Sequence, residues 1–330
     1  MGGDRAEQTK RVVMTGGGDF IGCHLLARLV GAEMDVTLLG PDTGASRYTA
    51  TLVKAGDVRF VRCDAEFSDD AALREALDGA HAIVLAAHVT RPRVSVAETI
   101  LNELTYNVAP LVKIIRAAAG VAQHVVFASS VAVYGTPVRV PVRETDPTDA
   151  ITPYAIGKVA AEQIVRATSA AAGMTATILR YATAYGPGET PRHPVGRLLD
   201  MALRGEPIVI DGDGLDEHDY VHVSDIVDAT LAALRTRADG TYNVGTGIGT
   251  TTIELGRLVA SLANTGHAPV CRTWSQRERR TRLVCDTFLA STHLGVTARR
   301  ALPEGIAQEI GWLKAQGVGV AAQAVLAHSA

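Results

Sequence analysis

The stretch Arg11-Val12-Val13-Met14-Thr15-Gly16-Gly17-Gly18-Asp19-Phe20-Ile21-Gly22 sets the frame for the rest of the chain. Val12, Val13 and Met14 form a short apolar run of strand type, three glycines follow, and Ile21, Leu25, Leu26 and Leu29 then recur at helical spacing. Strand, tight turn and helix start follow one another directly. Glycine lets a backbone approach a phosphate with no Cβ in the way, and the unpaired N–H groups of a helix's first turn point at the negative charge. The turn is therefore read as an anion cradle, and between a strand and a helix it implies a dinucleotide pyrophosphate.

Outward from this turn, Asp35 to Leu39 reads as a second strand, Val58 to Val61 as a third and Ala82 to Ala87 as a fully apolar fourth. Asp69 to Leu77 has an amphipathic helical pattern, a long helix is expected from Val96 to Ala118, and Val125 to Ala128 is another buried strand. Strands separated by helices of this length predict an α/β fold with a doubly wound parallel sheet. From about residue 186 the alternation lapses, and Gly186-Pro187-Gly188, Pro191 and Pro194 mark loops.

With 330 residues, 47% of them hydrophobic and 20% charged, the chain can bury a large core. Its net charge of −3 gives no electrostatic case for nucleic acid or anionic membranes as partners. Residues 1–10 are polar and expected to fray, no apolar region of signal-peptide type appears, and a cytoplasmic location is expected. Cys23, Cys63, Cys271 and Cys285 show no paired spacing, so they read as reduced and buried rather than as a disulfide framework or metal site.

Tyr154 and Lys158 are four residues apart, and on a helix both side chains lie on one face a turn apart. Ser129 and Ser130 leave the fifth strand for a loop, where a hydroxyl can reach a ligand. These residue types suit alcohol oxidation, because removing hydride from a carbinol also requires a base for the hydroxyl proton. A tyrosine starts near pKa 10, and lowering it by roughly three units takes about 4 kcal/mol. An adjacent ammonium supplies about 1–3 units of that. The bland alternative is a packed tyrosine, a solvated lysine and two loop hydroxyls.

Thr15 to Gly22 resembles the Thr-Gly-x-x-Gly-x-x-Gly turn of the extended short-chain dehydrogenase/reductase family, the NAD(P)-dependent epimerase/dehydratases that mostly act on nucleotide sugars. Gly16 and Gly22 match its first and third glycines and Phe20-Ile21 its apolar pair, while Asp19 stands at the middle glycine, where a carboxylate would face the pyrophosphate unless it turns to solvent or caps the helix. The resemblance implies Ser130, Tyr154 and Lys158 as the catalytic set, with Lys158 also bonding the nicotinamide ribose. It implies cofactor contacts from Gly16, Asp19, Phe20, Ile21, Gly22, Arg47, Asp64, Ala86, Ala87, Asn107, Tyr154, Lys158 and Tyr181. Gly40 replaces the usual acidic residue at the end of the second strand, and Ser46 with Arg47 in the following loop leans the cofactor choice from NAD toward NADP.

Dehydratases of this family carry Asp-Glu after the catalytic hydroxyl; here Val131 and Ala132 stand there, which argues against elimination. On the substrate side the resemblance points to His88, Ser130, Thr183, Arg197, His218, Gln276 and Arg277. Thr183 replaces a family Asn, and His218 and Gln276 replace two diphosphate-binding arginines, while Arg277, Arg279, Arg280 and Arg282 offer forks suited to phosphate. No metal is expected.

The implied architecture is a Rossmann-type domain over 11–185 with a return segment near 220–250, and a smaller interleaved substrate domain over 186–219 and 251–330. The leading function is C4 epimerisation or 4-keto reduction of a nucleotide-linked sugar. A ketoreductase for a non-nucleotide substrate, or a cofactor-binding protein with degraded catalysis, is the alternative. Family habit suggests a homodimer through helices near 96–118 and 154–171.

Overall fold

Val12 and Met14 pack on one side of the first strand and Val13 on the other, all of them buried, so this strand needs cover on both faces. The computed structural model, which describes residues 10–43, 46–64, 66–67, 69–90, 95–272 and 280–317 apart from the Arg47 side chain, shows how that cover is built. In order come β1 (Arg11–Thr15), α1 (Phe20–Gly31), β2 (Asp35–Gly40), α2 (Arg47–Ala55), β3 (Arg59–Arg62), α3 (Asp70–Leu77) and β4 (Ala82–Leu85). Next are α4 (Val96–Asn102), a π-helical turn (Glu103–Val108), α5 (Ala109–Ala117), β5 (His124–Ser130), a 3₁₀ turn (Val131–Tyr134), α6 (Pro153–Ala171) and β6 (Thr175–Tyr181).

The remaining elements are β7 (Thr183–Tyr185), α7 (Pro194–Leu203), β8 (Val209–Asp211), β9 (Glu217–His222), α8 (Val223–Thr236) and β10 (Gly240–Val244). They are followed by β11 (Gly249–Thr251), α9 (Thr252–Ala263), β12 (Val270–Arg272), β13 (Arg282–Leu283), a second π turn (Ala290–Leu294) and α10 (Leu302–Ala315).

Seven parallel strands form the main sheet in the order β10-β6-β5-β4-β1-β2-β3. This is the doubly wound sheet expected from the alternation. Leucines of α1 and apolar residues of α8 cover one face, and α3, α5 and α6 the other. Strand order reverses between β1 and β4, and in such sheets the crevice at the carboxyl ends of those two strands is where ligands bind.

A second core gathers Tyr185, Leu199, Ile210, Leu255 and Ile306 from β7, α7, β8, α9 and α10. Beside it β9 pairs with β7, β11 and β13, while α8 and β10 return to the main sheet. Among the described residues, no helix is long and apolar enough to cross a membrane.

Three local expectations change. The long helix over Val96 to Ala118 is interrupted by the π turn, because Pro110 has no N–H to give the carbonyl of Tyr106 and the ordinary ladder lapses there. The fourth strand stops at Leu85 rather than Ala87, because the Ala87 N–H donates to Thr15 Oγ1 at 3.3 Å instead of continuing the ladder. All four cysteines are free thiols, but only Cys63 and Cys285 are buried: Cys23 is half-buried and Cys271, on the short strand β12, is exposed.

Candidate active site

The glycine turn is built on close approaches. Gly16 has φ +80°, and a Cβ there would sit 2.4 Å from the Ala87 nitrogen; a Cβ on Gly22 would sit 1.8 Å from the Gly16 carbonyl oxygen. Only glycine at both places lets the turn close against the exit of β4 and the start of α1. The result is a cradle at the sheet's reversal point with a helix N-terminus behind it, which is what a pyrophosphate requires. Thr49 Oγ1 donates to the Gly17 carbonyl at 2.7 Å and anchors the turn from α2.

Asp19 takes the N-cap position with extended backbone, yet its side chain accepts no capping bond. The capping expectation gives way to the other one. The carboxylate stands at the mouth of the turn, where partial burial raises its pKa and the His88 backbone opposes that rise. Ser46, read as a phosphate contact, is occupied as the N-cap of α2, accepting from the Thr49 N–H at 3.3 Å. Arg47 opens α2, and its side chain lies outside the described residues. Asp64 is exposed beyond β3, with Oδ1 accepting from the Glu66 N–H at 3.0 Å.

Tyr154 and Lys158 share one face of α6, as their spacing requires. Thr152 caps this helix by accepting from the Ala155 N–H at 3.2 Å, and Pro153 occupies its first turn. The Tyr154 hydroxyl stands near Ser130, the last residue of β5, whose Oγ accepts from the Ala132 N–H at 3.2 Å. Lys158 Nζ donates to the Ala128 carbonyl at 2.8 Å and lies 5.7 Å from the Tyr154 ring centre. The sheet edge thus supplies a serine, and the helix beside it a phenol and an ammonium.

The electrostatics depart from expectation. Burial raises the Tyr154 pKa, the Ser130 hydroxyl near it opposes the rise, and Glu103 adds to it. Burial brings Lys158 down to about 8 against the support of Glu103 and Glu162. Burial thus disfavours the charged form of both groups, Lys158 being 8% exposed while Tyr154 keeps 36% of its surface open.

Beside Tyr154, His88 stacks edge-on with ring centres 5.0 Å apart, and burial with the Lys158 charge depresses its pKa to about 3, so the ring is neutral. Its Nδ1 is buried and has no partner among the described residues. Asn107 clamps the same loop: Oδ1 accepts from the Val89 N–H at 2.7 Å, and Nδ2 donates to the Val89 carbonyl and to Glu103 Oε2, both at 3.0 Å. This amide shapes the wall of the cleft.

Behind Ser130 lies a buried network that sequence reasoning missed. Arg180 grips Glu162 with Nε at 2.9 Å and Nη2 at 2.7 Å, and Ser129 Oγ donates to Glu162 Oε1 at 2.6 Å. Arg180 Nη1 donates to the Tyr134 hydroxyl at 2.8 Å, which in turn donates to Asn243 Oδ1 at 2.7 Å. A cue was present, since Glu162 stands one helical turn past Lys158. Glu103, also missed, gave no such sign.

The residues implicated in substrate binding are more dispersed. Thr183 opens β7 opposite Tyr220, and His218 on β9 sits edge-on to the same tyrosine at 6.2 Å. Arg197 pairs with Asp211 at 3.0 Å, Arg280 with Asp213 at 3.3 Å and Arg282 with Glu217 at 2.6 Å, so these forks already hold carboxylates. Tyr181 points its hydroxyl into the core, 2.8 Å from Thr230 Oγ1. Gln276, Arg277 and Arg279 lie outside the described residues. His24 Nε2 on α1 meets the Pro187 carbonyl at 2.6 Å, joining the glycine-turn helix to the loop after β7.

A glycine cradle at the switch point of a parallel sheet, with Ser130, Tyr154 and Lys158 beside it, defines a Rossmann-type dinucleotide-dependent enzyme. Residues 12–245 match the NAD dependent epimerase/dehydratase family, and the chain belongs to that family, within the extended short-chain dehydrogenase/reductases. It is 32% identical over 308 residues to the UDP-glucose 4-epimerase of Mycolicibacterium smegmatis, covering 91% of this chain and 97% of that one. The crystal structure of UDP-glucose 4-epimerase from Thermotoga maritima, with UDP-glucose, superposes with a TM-score of 0.82 at 25% identity, covering 93% of this chain and 99% of that one. MoeE5, solved with UDP-glucose and NAD, gives 0.79 at 31% identity with the same coverage.

Proposed function

We propose that this enzyme inverts the C4 configuration of a nucleotide-linked sugar through a transient 4-ketone, using Ser130, Tyr154 and Lys158. The observation that carries the reading is Tyr154 standing near Ser130 at the sheet's edge with Lys158 Nζ 5.7 Å from its ring centre on the same helix face, followed by Val131 and Ala132 where an eliminating enzyme needs acid and base. Tyr154 takes the C4 hydroxyl proton and later returns it, and Ser130 holds the reacting oxygen. Lys158 steadies the phenolate and bonds the cofactor ribose. The nicotinamide, when bound, supplies reversible hydride chemistry at C4. Gly16 and Gly22 admit its pyrophosphate, with Phe20, Ile21, Asp64, Ala86 and Ala87 along the groove.

NAD is the proposed cofactor. MoeE5 was solved with NAD, and Ser46, half of the argument for NADP, is already used as a helix cap. We assign cofactor to the sheet half, residues 11–185 with the return segment 220–250, and sugar nucleotide to 186–219 and 251–330. A homodimer through the helices near 96–118 and 154–171 is supported by Val96, Leu101 and Ile156, which expose apolar side chains there. The four free thiols suit the cytoplasm.

The test is to incubate the enzyme and NAD with UDP-galactose and with UDP-glucose. Interconversion with no net change in cofactor absorbance is expected, and Tyr154→Phe lowers turnover by about 10²–10⁴-fold while retaining NAD binding. No interconversion of the two sugars, with stoichiometric oxidation of added NADH or NADPH once a ketone substrate is supplied in their place, overturns the reading. That outcome would favour reduction of another ketone, a reading to which the ion-paired Arg197, Arg280 and Arg282 lend support.

A further inference from the structure

Among the described residues, four glutamates lie buried in or behind this site's walls or in the second core, namely Glu103, Glu162, Glu189 and Glu309, and Glu103 is placed differently from the others. It opens the π turn between α4 and α5 and is 8% exposed. Its Oε2 accepts only from Asn107, its Oε1 lies 3.6 Å from the neutral His88 ring, and among the described residues no arginine pairs with it. Glu162, the other carboxylate near Lys158, is gripped by Arg180. Its charge is balanced locally. The charge of Glu103 is left to face the site.

The helix opposite is cut to admit it. Gly157 lies between Tyr154 and Lys158, and a Cβ there would come 2.9 Å from Glu103 Oε2 and 3.1 Å from Glu103 Cβ. A mid-helix glycine costs about 0.5–1 kcal/mol relative to alanine. Here it creates the space in which a buried carboxylate reaches the turn carrying the phenol and the ammonium.

We propose that Glu103 is a positioning residue that sets the pH window of this site by acting on Tyr154 and Lys158 together. The groups facing Tyr154 are Ser130 from β5, His88 from the exit of β4, Lys158 from its own helix and Glu103 from the π turn. Those facing Lys158 are the Ala128 carbonyl and Phe127 ring of β5, Glu162, His88 and Glu103. A negative charge beside both groups stabilises the ammonium and opposes the phenolate, so it moves both titrations to higher pH. Removing it moves both down. A residue that merely packs changes the height of a pH profile and leaves its limbs in place.

This inference rests on the proposed role of Tyr154, and its test includes a measurement that needs no substrate. In Glu103→Gln the amide oxygen still accepts from Asn107, so the loop contact survives. Phenolate absorbance of the NAD-loaded protein, taken as the difference from Tyr154→Phe, reports the Tyr154 midpoint. We expect that midpoint to fall by about one pH unit in Glu103→Gln, the low end of what one nearby charge does. With UDP-galactose as substrate, both limbs of the kcat/KM profile move down together. An unmoved or raised midpoint, or a Tyr154 that does not ionise below about pH 10 in either protein, overturns the inference. If no sugar nucleotide turns over, the proposed function fails and the phenolate titration still decides the role of Glu103.

Discussion

Glu162 under the sheet's edge and the pair Glu189 and Glu309 in the second core are almost fully buried, yet the two halves of the molecule satisfy them in opposite ways. Glu162 receives an arginine fork and a serine hydroxyl. Glu189, in the loop after β7, and Glu309, on α10, face each other with no cation paired to either among the described residues. Burial pushes both carboxyls well above the usual range, to about 7 and about 9, because two adjacent carboxylates in a dry core cannot both ionise. The sheet half carries an ion pair, and the second half two carboxyls that burial pushes toward the protonated form. The first resists pH change and the second responds to it.

The contrast breaks most severely at Arg180. Arg180→Met leaves Glu162 charged with only the longer ion pair to Arg166 at 3.7 Å, and a loss of about 3–5 kcal/mol in urea unfolding is expected. Adding Glu162→Met should recover much of that loss, since an apolar pair of similar volume is often no worse than a buried ion pair. A double variant as unstable as the single one would show that Arg180 matters through Tyr134 and not through charge.

The second core is probed by pH. Because the folded pKa values of Glu189 and Glu309 lie above the unfolded carboxylate value, their contribution is fully present below about pH 4.5 and is lost as pH rises through about 7 to about 9. Glu309→Gln keeps the geometry and removes one titration, so its melting temperature should fall less than that of the parent between pH 6 and pH 9, both pH values being rough bounds on that window. Parallel curves would mean that the pair shares no proton.

The smallest expected effect concerns Asp19, whose carboxylate stands at the glycine turn proposed to hold the cofactor's pyrophosphate. Asp19→Asn should tighten NAD binding by about 2–5-fold, the scale of about 0.3–1 kcal/mol for a charge at a helix N-terminus. Titration calorimetry measures it, and weaker binding would mean that Asp19 helps hold the turn in shape.

Much of this was legible in the sequence where the cause is local. The apolar runs flanked by turns marked β1 to β5, and a four-residue interval put Tyr154 and Lys158 on one face of α6. Reading failed where the cause lies far along the chain. Nothing around Glu103 signals that Gly157 leaves room for it, and Cys271 looks no different from Cys63 until β12 turns out to be exposed.

The sequence by itself determined the strand–glycine–helix turn and the tyrosine–lysine face, because backbone periodicity and glycine's missing Cβ act over a few residues. Only the tertiary structure decided which charges meet: Arg180 with Glu162, Glu309 with Glu189, and Glu103 with the turn bearing Tyr154 and Lys158. Such encounters depend on strand order and helix packing, and their strength depends on how completely water is excluded once the layers close.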